Sequence, residues 1–196
     1  MNVAKSVSQP LFFILLTVPA FAGSPLEGIK NFHQVDVDVY RGAQPDSKGF
    51  VGLAQLGVKT VIDLREPGRR SDAEQAMVTG AGMKYINVPM TGLTPPSQAE
   101  IARLLGILED SNQGPVFVHC MRGADRTGAV IAAYRIHHDG WENARALKEA
   151  ESMGMSSFQF PRKGFIREFQ VASVPVNVPA LASQPAAVAP SSVTTR

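Results

Sequence analysis

A chain of 196 residues, 44% hydrophobic and 18% charged, holds enough apolar material for one compact domain with its own core. A formal net charge of +2 gives no global attraction for nucleic acid, so any basic cleft must be local. The sequence contains one cysteine, Cys120, which excludes an internal disulfide framework.

In chain order, Lys5 precedes the apolar run LFFILLTVPA over residues 11–20, and Ala20 and Ala22 then occupy the small positions of an A-x-A cleavage site. That is the layout of a secretory signal peptide over residues 1–22, and the run is shorter than the ~20 residues a membrane span needs. The expectation is an exported protein, periplasmic or secreted, with no stable membrane insertion after cleavage. Exported proteins use cysteines in pairs. A lone one there is either intermolecular or a reactive free thiol.

The alternating VDVDVYRGAQP predicts a half-exposed strand followed by a turn. GFVGLAQLG reads as a short helix closed by Gly57, VKTVIDLR as a buried strand, and EPGRR as the loop after it. SDAEQAMVTGAG predicts a helix with Ser71 as N-cap and Glu74 completing a capping box. MKYINVP is another strand. After the TGLTPPSQ loop, Ser97 and Glu100 form a second capping box for a helix whose Ile101, Leu104, Leu105 and Leu108 share one face. PVFVH is short and wholly apolar, which suits a central strand. TGAVIAAYRIHHDG is apolar almost all round and reads as a buried helix, with His137 and His138 as C-terminal capping residues. Two helices follow, around WENARALKEAES, where Trp141 reads as packing, and around RKGFIREFQ. Residues 171–196, rich in Pro, Ala, Ser and Val, read as a flexible tail. Strands alternating with helices give an α/β domain over residues 23–170, a mostly parallel central sheet with helices on both faces.

The segment HCMRGADRTG, residues 119–128, runs strand end, cysteine, five residues, arginine, helix start. Each part has a task if the ligand is a phosphate monoester. A loop opening a helix N-terminus turns free N–H groups inward and makes an anion nest. Gly123 lets the loop turn with no Cβ in the way. Arg126 can hold two phosphate oxygens bidentately. The same field lowers the thiol pKa of Cys120, and thiolate attack on phosphorus gives a phosphocysteine. The Thr127 hydroxyl can reach back to the sulfur, and His119 orients the loop without touching substrate. Met121, Arg122, Gly123, Ala124 and Thr127 are the candidate substrate-binding positions. Asp63, Arg65 and Arg41 are candidates for supporting the loop.

HCMRGADRTG resembles the signature loop of the cysteine-dependent protein tyrosine phosphatase superfamily. VYRGAQP, LGVKTVIDLR and YINVP precede it in the order seen in small dual-specificity-type members, so the resemblance covers roughly residues 35–170. It implies a dual-specificity phosphatase-like fold and a phosphatase needing no metal and no cofactor, with Cys120 as nucleophile and Arg126 as phosphate clamp. A phosphorylated protein or a small phosphate ester is the implied substrate, inositol phosphates among them, and a monomer is expected.

One element of the family pattern is missing. Many members carry an aspartate as general acid on a mobile loop roughly 20 to 30 residues before the cysteine. In this chain that stretch is NVPMTGLTPPSQAE, with no aspartate and only Glu100, which reads as a helix cap. Asp125, immediately before Arg126, resembles the aspartate proposed as acid in myotubularin-type lipid phosphatases. Its other reading is a brace for the loop, paired with Arg122 or with backbone N–H groups. Three rival functions remain: a phosphate-binding pseudophosphatase, a rhodanese-like sulfur transferase, which Arg-Thr-Gly fits less well than it fits phosphate, and a tail-tethered envelope protein.

Overall fold

The computed structural model describes residues 26–171. They form five strands and six α-helices, with one short 3-10 turn at Ser111–Gln113: β1 His33–Asp36, β2 Val39–Ala43, α1 Ser47–Gln55, β3 Thr60–Asp63, α2 Arg69–Gly80, β4 Lys84–Asn87, α3 Gln98–Leu108, β5 Val116–Cys120, α4 Asp125–His137, α5 Asn143–Ser152 and α6 Phe160–Glu168. The sheet order is β1-β2-β5-β3-β4. β1 is antiparallel to β2, and every other pairing is parallel.

β5 is central, as its unbroken apolar sequence requires, and its side chains alternate between two cores. Phe117 points to one face and packs with Val61, Phe50, Leu53 and Val78, under α1 and α2. Val116 and Val118 point to the other, with Ile62, Leu104, Ile131, Leu147 and Ile166, under α3 to α6. The α/β expectation, with helices on both faces, therefore holds. Each fully buried aliphatic side chain in these layers contributes roughly 1.5–3 kcal/mol of burial free energy.

Two local readings change. VDVDVY is not one strand but a hairpin: β1 ends at Asp36, Val37 is 76% exposed, and β2 begins at Val39. A period-two pattern on both sides of a two-residue turn cannot by itself show where the chain reverses. Helix α2 starts at Arg69 with Gly68 as N-cap, so Ser71 is its third residue. The Ser71 hydroxyl accepts from Gly68 N at 2.8 Å and does the capping from inside the helix. Glu74, expected to close that cap, is instead fully buried. The capping box of α3 is present as expected: Ser97 N donates to Glu100 Oε2 at 2.6 Å and Glu100 N to Ser97 Oγ at 3.2 Å.

Trp141 packs between two guanidinium groups, Arg135 at 4.5 Å and Arg145 at 3.6 Å from the ring centre. His137 and His138 face Glu109 and Asp36 at the end of α4. The signal-peptide reading lies outside the described residues, as does the tail reading apart from Val171. Among the described residues no helix is long and apolar enough to cross a membrane.

Candidate active site

β5 delivers Cys120 to the carboxyl edge of the sheet, and the chain turns through residues 121–124 before α4 begins at Asp125. The turn rests directly on the backbone of β2. Gly123 has φ of 66°, and a Cβ there would sit 2.3 Å from Gly42 C and 2.4 Å from Gly42 O, so only glycine fits.

The carbonyls of the turn face outward and are met by donors. Gly123 O accepts from Arg41 Nη2 at 2.6 Å and from Asn31 Nδ2 at 2.9 Å. The same Asn31 amide also donates to Met153 O at 2.9 Å, tying the loop to the end of α5. Met121 O accepts from Gln44 N at 3.4 Å, and His119 Nδ1 lies 3.3 Å from Cys120 O. Carbonyls held outward leave the amides free to face the sulfur, which is the arrangement of an anion nest.

Cys120 is 3% exposed. Burial alone would raise its pKa, but hydrogen bonds from the Thr127 hydroxyl and amide, the Arg126 charge and the Arg122 amide outweigh it and hold the thiol below its ordinary value. Among the described residues the buried Thr127 hydroxyl has no other partner. Arg126 Nη1 donates to Leu64 O and Met90 O, each at 3.3 Å, which fixes the guanidinium between the ends of β3 and β4.

Behind the loop lies a buried charge network. Glu74 Oε1 is 2.6 Å from His119 Nε2, and Glu74 Oε2 is 2.5 Å from Arg65 Nη2. Arg65 also grips Asp63 bidentately, Nε to Oδ1 at 2.8 Å and Nη2 to Oδ2 at 2.7 Å, and Tyr85 donates to Asp63 Oδ2 at 2.8 Å. Burial opposes the Asp63 charge, yet the Arg65 hydrogen bond and the charges of His119 and Arg65 bring its carboxyl below the usual range. Asp63, Glu74 and His119 stand close enough to hold an ion. Their carboxylates are already occupied by the Arg65 fork, so the donor set fits an ion-pair network better than a metal.

The wall of the site is the segment after β4. Arg162 of α6 is buried and donates from Nη1 to Gly92 O at 2.8 Å and from Nη2 to Thr91 O at 2.5 Å. With Arg126 on Met90 O, two arginines hold three successive carbonyls of this segment. Leu93 beside them is exposed (79%), and so are Phe158 (82%), on the turn that leads into α6, and Phe160 (68%), its first residue.

The family-model comparison decides the affiliation. The model described as "DSP-PTPase phosphatase fused to NAD+ Kinase" matches residues 20–168. The chain belongs to this DSP-PTPase family. Within the family, it is 31% identical over 125 residues to the dual specificity protein phosphatase TpbA of Pseudomonas aeruginosa, covering 63% of this chain and 55% of the relative. The match thus spans about half the length of that curated relative. Inositol diphosphatase DSP5 of Arabidopsis thaliana is 24% identical over 145 residues, covering 72% of this chain and 70% of the relative. Among solved structures, Pseudomonas aeruginosa TpbA superposes with a TM-score of 0.64 at 26% identity, over 77% of this chain and 95% of that one. The Siw14 catalytic core shares the fold with a TM-score of 0.67 at 21% identity, over 78% of this chain and 92% of that one.

Against this DSP-PTPase frame, the structure brings His119, Cys120, Met121, Arg122, Gly123, Ala124, Asp125, Arg126 and Thr127 into one loop and helix start, with Arg41, Asp63 and Arg65 around it. Asp125 has both carboxylate oxygens engaged: Oδ2 pairs with Arg122 Nη2 and Oδ1 accepts from Ser156 N at 2.8 Å. Glu100 is held in its capping box. The sequence reading missed Asn31, Glu74 and Arg162. Asn31 carries a positive φ of 53°, a conformation asparagine tolerates, but nothing local signals its long-range partners.

Proposed function

We propose that the chain is a cysteine-dependent phosphomonoester hydrolase of the protein tyrosine and dual-specificity type. The observation that carries this reading is a buried thiol whose contacts favour the thiolate, set beside a guanidinium fixed by two carbonyls. Cys120 Sγ attacks phosphorus, the bond to the leaving oxygen breaks, and that oxygen takes a proton from a general acid. Water then attacks the phosphocysteine, releasing inorganic phosphate and restoring the thiolate. Arg126 and the loop amides carry the charge of the phosphoryl group through both steps. Met121 to Ala124 line the nest, and His119 holds it from behind.

The substrate class is a phosphorylated protein. A variant of TpbA, 26% identical to this chain, is solved in complex with phosphotyrosine, which supports the reading. A second reading, hydrolysis of inositol phosphates with the same mechanism, is supported by the inositol diphosphatase relatives. The protein acts as an exported monomer after loss of residues 1–22, without nucleic acid, metal or cofactor.

Asp125 is the proposed acid, because the upstream segment offers only the capping Glu100. For that role its pairing with Arg122 must give way when phosphate binds. The test is turnover of an aryl phosphate with a good leaving group, an alkyl phosphate, phosphotyrosyl peptides and an inositol phosphate. Cys120→Ser is expected to abolish turnover of all of them. Asp125→Asn is expected to lower the alkyl phosphate rate by about 10²–10⁴ and to spare the good leaving group. Equal rates for Asp125→Asn and the unmodified chain on both would assign Asp125 to bracing alone. A chain that turns over none of the substrates would make the protein a phosphate-binding pseudophosphatase.

A further inference from the structure

Arg41 projects from β2 beneath the phosphate loop and is 1% exposed. Its Nη2 donates to Gly123 O at 2.6 Å, while Nε and Nη1 are buried without a partner among the described residues. Among the described residues no carboxylate is in ion-pair contact with it. Glu149, whose charge favours the guanidinium, is itself paired with Arg135 at 3.1 Å. Burial, first of all, pulls the Arg41 pKa down to about 10, which still leaves it cationic at neutral pH.

A buried charge without a counter-charge is costly, and proteins usually pair it or neutralise it. Arg65, on the other side of the loop, follows that rule with two carboxylates. Arg41 does not, and one of the groups whose negative form its charge favours is Cys120. We infer that Arg41 is a positioning residue whose buried, carboxylate-free charge serves as a fixed counter-ion for the Cys120 thiolate and, in turnover, for the phosphoryl group in the loop. This rests on the phosphatase reading above, and extends it to a second arginine that never touches substrate.

The surroundings define the control experiments. Cys120 is faced by Arg126 at the start of α4, Arg162 of α6, Arg41 of β2 and the Thr127 hydroxyl. Arg41 is faced by Glu149 of α5, Arg135 of α4 and His33 of β1. Asn31 donates to the same Gly123 carbonyl but carries no charge, so it separates holding the loop from charging it.

The experiment is the pH dependence of Cys120 alkylation by iodoacetamide, read by mass spectrometry on the full chain. It reports the thiol without requiring turnover. Arg41→Gln, which keeps an N–H donor for Gly123 O, is expected to move the alkylation midpoint up by about one pH unit. Arg41→Lys and Asn31→Ala are expected to keep the original midpoint. An unmoved midpoint in Arg41→Gln overturns the inference, and so does an equal shift in Asn31→Ala. Should Arg41→Gln fail to fold, Arg41→Lys decides alone: a retained midpoint supports the inference and a displaced one overturns it. Turnover of an aryl phosphate by the unmodified chain is measured alongside. Its failure would count against the phosphatase reading, whereas the alkylation midpoints bear on Arg41.

Discussion

Two buried arginines flank the phosphate loop, and they are satisfied in opposite ways. Arg65 is clasped by Asp63 and Glu74 and linked through Glu74 to His119, so its charge is spent inside the network. Among the described residues Arg41 has one backbone carbonyl and no carboxylate, so its charge remains available to whatever anion enters the loop. A buried charge with matched partners fixes geometry, whereas one without them imposes a field. One loop is thus served by a rigid mount on the β3 side and a poised cation on the β2 side.

Breaking the mount is expected to have the largest effect on stability. Glu74→Ala leaves the Arg65 guanidinium short of a partner and His119 without its carboxylate, and should lower the unfolding free energy by about 3–5 kcal/mol in urea titrations. Next comes Asp63→Asn. The Asp63 carboxyl is depressed in the folded state, so its stabilisation is present above the unfolded-state pKa, about 4, and is lost as the pH falls through the lower folded value. The variant should show a flatter fall of stability between neutral and acid pH, checked by unfolding at a series of pH values. Arg41→Gln should barely move stability, by about 1 kcal/mol in either direction, because the amide keeps a donor for Gly123 O and the packing lost with the longer side chain is offset by removal of an uncompensated buried charge. A loss as large as that of Glu74→Ala would erase the contrast between the two arginines. The smallest effect belongs to Arg122→Ala: its pair with Asp125 leaves the arginine 61% exposed, and thermal unfolding should register less than about 1 kcal/mol.

The parts of the site that were legible in the sequence are those contiguous along the chain. Cys120, Gly123, Arg126 and Thr127 lie within one strand-loop-helix unit whose spacing has few other physical uses. The sheet class followed from the alternation of strands and helices. What stayed hidden depends on which strand lies beside which. Arg41 meets Gly123 because β2 pairs with β5, and His119 meets Glu74 because α2 covers the other side of the sheet edge. Glu74 was also masked by a plausible local use, since a serine three residues before a glutamate spells a capping box. The helix begins three residues earlier than that pattern suggests, and Glu74 lies buried within it. The hairpin at Val37 was missed because the Val-Asp alternation runs unchanged through the reversal.

The lone Cys120 also gives the protein a built-in count of its working copies. With a single sulfhydryl in the sequence and that one seated in the nest, each equivalent of a thiol-specific electrophile consumed marks one accessible site. A preparation can therefore be standardised by its own active-site titration, with no engineered label and no other thiol to block.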